Sequence, residues 1–484
     1  MNLWRALLRL LPGQNHKDEY ELLPENSHHD SRPRGRRRPH GCFRFFTLRR
    51  IMILLAMIPV FLMVGVLLSG VPPTYNDIRT YEAKLPQNNV SDLSTADSRT
   101  YLRFPGHLWG HGLNNVLQEA IVMGYLAHLA GRVYVFEDYT WSHLPLPYTI
   151  YDFALRSTRI PLNAFVAGPL AGGPLPAPAE NAVQKRAVSA AFYEKACPRS
   201  AVHVVSSVGA PTEAEGSALV EWWVKRLSDV HGARCVEVDS SEQPVFDRYL
   251  FGSPRLLSLL PGLNASPILG AFAWSPLVHS AVTPPRSTRL HGPSPSPPTQ
   301  KSPTRSARST GSSPCTSGGA TTSGTARGSH SGARGYMGVN THPALPDRFV
   351  IPTNTTPEAT EAHYLQHCLP SPSQLAARLH AVRADHQARH PGSAPLSRVY
   401  ILTNAWGWFV NSVRAELVKD GWTEVWGSGD IALDSAQAGV GMAVDMRIGE
   451  GAEVFLGNGF SSLTSNIVML RLARGLEPAS NRFL

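Results

Sequence analysis

The stretch Ala452-Glu-Val-Phe-Leu-Gly-Asn-Gly-Phe-Ser-Ser-Leu-Thr-Ser-Asn-Ile-Val-Met-Leu-Arg-Leu-Ala-Arg-Gly475 decides how the rest of the chain is read. Val454, Phe455 and Leu456 form a short apolar run that stops at Gly457-Asn458-Gly459, the pattern of a buried strand ended by turn residues. Beyond the turn, Leu463, Ile467, Leu470 and Ala473 recur at helical spacing, with Arg471 and Arg474 near the end and Gly475 as a stop. A strand that turns through Gly and Ser into a helix gathers free backbone N–H groups and the hydroxyls of Ser461, Ser462 and Thr464 at one point. Two readings fit it. Ser461 or Ser462 caps the helix, or the turn holds a phosphate.

The same rhythm extends upstream. Residues 375–388 have a helical pattern, 398–403 read as a strand, 409–419 as a helix stopped by Gly421, 424–426 as a strand and 438–448 as a helix. In the first half, Asn115 with Gln118 three residues later resembles a helix cap and capping box. That helix is apolar on two sides and ends at Gly131, before a strand at 133–136. The Gly-rich turn from Gly110 to Asn115 admits either a plain helix start or close approach of a nucleotide. Residues 145–178, rich in Pro, Gly and Ala, read as loop or poor helix. Strands at 201–206 and 235–238 flank a helix at 213–230. Alternating βα units imply an α/β fold with parallel sheets and ligands at the carboxyl ends of strands. The expected division is an N-terminal α/β domain at 101–280, a Pro/Ser/Gly-rich and disordered segment at 281–335, and a C-terminal α/β domain at 336–484, with a site in the cleft between the two domains.

Ahead of these lies an apolar run at 51–71, just long enough to span a bilayer. Arg36, Arg37, Arg38, Arg44, Arg49 and Arg50 crowd its N-terminal side, so residues 1–50 are expected to form a cytoplasmic basic tail. The expected arrangement is a single-pass type II anchor in the lipid bilayer, a polar stem at 72–100 and a lumenal remainder facing the endoplasmic reticulum or Golgi. Of the net charge of +9, the tail supplies +6 through eleven Lys and Arg against five Asp and Glu. The +3 left over the rest argues against nucleic acid as a partner. There are five cysteines, and none has metal-ligand spacing; those at 197, 235, 315 and 368 would be free to pair in a lumen, whereas Cys42 would be cytoplasmic. Asn89, Asn264 and Asn354 open N-glycosylation sequons.

Taken together, two motifs and one spacing resemble the protein O-fucosyltransferase family in its fungal, membrane-anchored form. The first motif is Gly112-Leu113-Asn114-Asn115, opening a long helix, and the second is Gly457-Asn458-Gly459-Phe460-Ser461-Ser462-Leu463-Thr464. Asp445 stands sixteen residues before Ser461, the family's spacing. The resemblance implies a GT-B-like architecture of two Rossmann-type domains and metal-independent, inverting transfer of fucose from GDP-fucose to a hydroxyl of a protein or glycan acceptor. It also implies roles: Gly112, Leu113, Asn114 and Asn115 beside the diphosphate or fucose, Asp445 on guanosine, and Ser461, Ser462 and the Leu463 backbone on the phosphates. A capping Asn115 and a solvated Asp445 are the structural alternatives.

The chain departs from the family where the second domain should open on a strand bearing His-x-Arg-x-x-Asp, so its catalytic residue is unassigned. The written segment there includes Pro314-Cys-Thr-Ser-Gly-Gly-Ala-Thr321. Read one nucleotide earlier, the codons allowed for Cys315 to Thr321 and their neighbours permit Leu-His-Val-Arg-Arg-Gly-Asp-Tyr, which has the motif's form. Residues from about 282 to 335 are therefore expected to stand in a wrong frame. If the written frame is real, a GDP-sugar-binding pseudoenzyme or a membrane-tethered interaction protein replaces the transferase.

Overall fold

The computed structural model describes residues 48–89, 99–106, 112–142, 146–151, 154–176, 185–247, 249–282, 335–403 and 405–484. The chain falls into two compact units, Met1–Val60 and Phe61–Leu484. Helix Leu48–Ser69 contains Pro59 and has no acidic residue in its first turn; Met52, Phe61, Leu67 and Leu68 on it are exposed. Among the described residues no helix is long and apolar enough to cross a membrane.

Residues 72–100, expected to form an aperiodic stem, hold a folded element instead. Helix Asn76–Ala83 follows Tyr75, whose buried hydroxyl donates to the Ala436 carbonyl at 3.1 Å. Gln87 donates to the carbonyls of Gly172 and Ala187. Tyr75 and Leu85 are the apolar anchors, too few in sequence to show a period.

The N-terminal sheet is fully parallel and has five strands, in the order Val188–Ser189, Val133–Phe136, Tyr101–Arg103, Cys235–Val238, Val202–Val205. Tyr101 and Leu102 in the middle are wholly buried. On one side of this first strand the chain steps outward, whereas on the other it makes the edge strand Val202–Val205 before the inner strand Cys235–Val238, so the strand order reverses beside Tyr101–Arg103. In sheets of this kind the crevice at the reversal, outside the carboxyl ends, is where ligands bind. The connection leaving Tyr101–Arg103 enters helix Leu113–Leu129, which buries Leu117, Ile121 and Leu126. This is the two-sided helix expected from its apolar positions. A disulfide joins Cys197 to Cys235 and so ties the end of helix Ala190–Ala196 to an inner strand; Cys368 is disulfide-bonded as well.

Among the described residues of 145–178, expected as loop or poor helix, the short helices Leu162–Phe165 and Pro169–Ala171 fit the poor-helix reading, whereas the antiparallel pair Tyr148–Tyr151 with Ala154–Ser157 and the short strands Arg159–Ile160 and Val166–Ala167 were not expected. β-Branched and aromatic residues sit between the Pro and Gly punctuation there, and local pairing overrides composition.

The C-terminal half differs from the expected second Rossmann sheet. Strand Arg398–Ile401 pairs in parallel with Glu424–Gly427, and Phe455–Gly457 with Asn481–Phe483. These are two separate ladders of two strands. Helices Gly407–Lys419 and Ser462–Ala473 make the crossover within each pair. Helix Pro372–Arg389, opened by a capping box of Ser371 and Gln374, packs Leu375 and Leu379 with Val399, Ile401 and Val425. Apart from 281, 282 and 335, the segment at 281–335 lies outside the described residues.

Candidate functional site

The turn after Phe455–Gly457 is shaped by close approach. A Cβ on Gly459 would lie 2.3 Å from the Tyr336 ring, and one on Gly457 would lie 2.4 Å from Thr464, so both positions require glycine. Asn458 accepts from the Phe460 N–H through its side chain and from the Ser461 N–H through its carbonyl. Helix Ser462–Ala473 then starts, with Ser461 in the capping position but making no side-chain cap. The capping reading of Ser461 is thereby corrected. Neither its hydroxyl nor that of Ser462 has a hydrogen-bond partner among the described residues, although Ser462 is buried. The first intrahelical bond runs from the Ser465 N–H to the Ser461 carbonyl. The N–H groups of Ser462, Leu463 and Thr464 are left as the unpaired donors of a helix start. They share the positive end of the helix dipole.

The N-terminal motif meets this turn directly. Gly112 is the cap residue of helix Leu113–Leu129, with φ −62° and ψ 152° and no side-chain cap. Asn115 therefore lies inside the first turn, its N–H donating to the Gly112 carbonyl at 3.0 Å. The expected cap at Asn115 is three residues late. Gln118, expected in a capping box, instead donates to Ser465 Oγ at 3.1 Å. Asn466 Nδ2 donates to the Asn114 carbonyl at 2.8 Å, and the Val339 N–H donates to Ser465 Oγ. Asn340 spans the same seam, donating to the Gly459 carbonyl. Asn114 is 1% exposed, and neither its side-chain oxygen nor its nitrogen has a partner among the described residues. A buried amide with both ends unmatched costs roughly 1–3 kcal/mol per group. Two helix starts thus abut, each with unpaired backbone donors and unmatched polar side chains.

Asp445 stands apart from that seam, on helix Gly441–Gly451. Its Oδ1 accepts from the Tyr400 hydroxyl at 2.8 Å and its Oδ2 from Ser428 Oγ at 2.9 Å. The carboxyl keeps some solvent contact, yet enough protein surrounds it that burial pushes its pKa up to about 6, against the lowering effect of both hydrogen bonds. It is largely desolvated and has no cationic partner among the described residues, so the solvated-face reading does not hold. Tyr400, Ser428 and the Ser461 turn all sit at carboxyl ends of parallel strands. Sequence reading missed Tyr400 and Ser428, which carry no motif, and Ser465 and Asn466, which continue the polar first turn of a helix one turn on from Ser461 and Ser462.

A charged cavity elsewhere, lined by His386, His390, Arg447, Glu453, Arg474 and Glu477, contains none of the motif residues. Among the described residues no group of three or more His, Cys, Asp or Glu side chains is placed to hold a metal ion. Asn89, Asn264 and Asn354 are all exposed.

No protein-family profile matches the chain, and no curated protein matches it. Among solved structures, POFUT1 in complex with GDP-fucose shows 11% identity, covering 81% of this chain and 99% of that chain, at a TM-score of 0.40. A second crystal form of that complex gives 10% identity, 79% and 98% coverage and a TM-score of 0.41. POFUT1 in complex with GDP gives 13% identity, 81% and 99% coverage and a TM-score of 0.38. These likenesses are remote.

Proposed function

We propose that this chain is a GDP-fucose-dependent O-fucosyltransferase, anchored in a membrane of the secretory pathway by the apolar run at residues 51–71 and working without a metal cofactor. The observation that carries the reading is the helix start at Ser461–Thr464. Unpaired N–H groups, two partnerless hydroxyls and the helix dipole converge there on a point able to hold a diphosphate. Asp445 has the chemistry for guanine, whose adjacent N–H and NH2 groups match a carboxylate pair of oxygens. The acceptor hydroxyl oxygen bonds to fucose C1 while the C1–O bond to GDP breaks, its proton passes to the departing phosphate or to water, and the departing diphosphate gathers negative charge. Preorganised donors at the helix start stabilise that charge. Among the described residues, none of the hydrogen bonds at this helix start comes from an arginine or lysine.

That last feature, with the unassigned catalytic residue, favours a second reading in which the written chain binds a GDP-sugar without transferring it. Radiolabelled transfer from GDP-fucose, together with GDP binding, separates the two. Binding with transfer supports the enzyme, and binding without transfer supports the pseudoenzyme. Replacing Ser461 and Ser462 together by alanine is expected to weaken GDP at least tenfold while leaving the fold intact. Unchanged GDP affinity in that double variant would remove the phosphate site from the account. A wild-type chain that binds no GDP at all would point to a membrane-tethered interaction protein.

A further inference from the structure

The hairpin of Tyr148–Tyr151 with Ala154–Ser157 pairs with no other strand among the described residues. A lone pair of strands is marginal in water and needs its apolar face covered. The register sets Tyr148 opposite Ser157 and Ile150 opposite Leu155. Side chains alternate along a strand, so these four share one face, whereas Thr149, Tyr151, Ala154 and Arg156 share the other. Ile150 is 63% exposed, and Leu146, just before the first strand, is 61% exposed. Two large aliphatic side chains thus stand in the open on an element too small to fold by itself.

Ser157 shows what lies beside that face. Its Oγ donates to the Pro73 carbonyl at 2.9 Å, and Thr158 Oγ1, next in sequence, donates to the Leu146 carbonyl at 2.8 Å. Pro73 is thereby held on the side of the hairpin that carries Ile150 and Leu155. Two residues later the chain is fixed again, where the Tyr75 hydroxyl donates to the Ala436 carbonyl. Upstream, helix Leu48–Ser69 ends four positions before Pro73, and the apolar run at 51–71 ends two positions before it. Two residues of extended chain reach only ~7 Å, and Pro72 and Pro73 each have a locked φ. The headgroup layer on either side of a bilayer is itself roughly 5–8 Å deep. A bilayer that holds residues 51–71 therefore comes within reach of the hairpin.

We propose that the hairpin at 148–157 is a second membrane contact, with Ile150 and Leu146 entering the headgroup region of the bilayer beside the anchor. Tyr148, half-buried on the same face, has the amphipathic ring that suits the headgroup level. The occupant is the lipid surface and not another protein, because a tether of two residues leaves no room for a protein between the hairpin and the bilayer. The proposal rests on the anchor reading and adds to it. An anchor followed by a free stem lets a domain swing, whereas an exit pinned at Pro73 and a hairpin in the headgroups hold the domain in one orientation on the membrane.

Photo-crosslinking of the full chain in vesicles of tritiated phosphatidylcholine tests it. The photoreactive residue p-benzoylphenylalanine replaces Phe61, Ile150 or Val204, one at a time. All three are exposed, so each variant keeps the core intact; Phe61 lies in the apolar run, and Val204 on the edge strand at the far side of the five-stranded sheet. Lipid labelling at positions 61 and 150 is expected to exceed that at 204 at least tenfold. Labelling at 61, with 150 no better than 204, would overturn the proposal and leave the anchor standing. Labelling at neither 61 nor 150 would remove the anchor reading and the proposal with it. A protein–protein crosslink at 150 in place of lipid would put a second copy on the face, which also overturns the proposal.

Discussion

Asp445 is the residue on which the donor reading is most exposed to test. Its folded pKa of about 6 lies above the ordinary 3.8 because of burial. Between roughly pH 4 and pH 6 the folded chain holds a proton that the unfolded chain has lost, so stability falls as pH rises through that window. Above about 6 the cost is complete. Asp445→Asn removes it, and urea denaturation at pH 7 should show a gain of about 1–3 kcal/mol that shrinks toward pH 4. A ligand that donates to the carboxylate needs the ionised form. GDP should therefore bind more tightly at pH 7.5 than at pH 5.5, by roughly three- to tenfold, and the Asn variant should lose that pH dependence together with affinity. Asp445 was legible in the sequence through its spacing from Ser461. Its partners Tyr400 and Ser428 were not, because they reach it from a different ladder and nothing in a linear pattern links residues 400, 428 and 445.

At the scale of the element, helix Ser462–Ala473 is fixed at both ends by different chemistry. Its start is left unpaired, whereas its last turn is pinned by Arg471. Sequence reading makes Arg471 a cation near a helix C-terminus, but the side chain is wholly buried and serves a neighbouring element. It donates to the carbonyls of Gly449, Glu450 and Ala452, which end helix Gly441–Gly451, and to Asn481 Oδ1 on the last strand. Burial lowers its pKa to about 10. Arg471→Met leaves those carbonyls unmatched, and a loss of about 3–5 kcal/mol in chemical denaturation is expected. A loss below about 1 kcal/mol would mean that water takes over the guanidinium's role. The element itself was readable because its apolar residues keep a 3.6 period. Strand Tyr101–Arg103 was not, because three residues are too short for any period, and its burial comes from neighbours added later in the chain.

The whole molecule shows what pattern reading carries and where it stops. Repeated βα units predicted parallel sheets, and every strand of the N-terminal sheet and of both C-terminal ladders is parallel. Strand order and completeness are not local properties. The two separate C-terminal ladders became visible only once the pairing was known. The contact between the two motifs is also tertiary: Asn114 and Asn466 are far apart in sequence, and only the fold sets their helix starts together.

The most direct measurement is calorimetric titration of the full chain with GDP and, separately, with UDP at pH 7.5. The account predicts GDP binding with a Kd on the order of 10 μM. UDP should bind at least tenfold more weakly, because uracil offers Asp445 one N–H where guanine offers two adjacent donors. Equal affinities would contradict the assignment of Asp445 to the base. No heat with GDP from a folded chain would contradict the central claim that these helix starts form a nucleotide site.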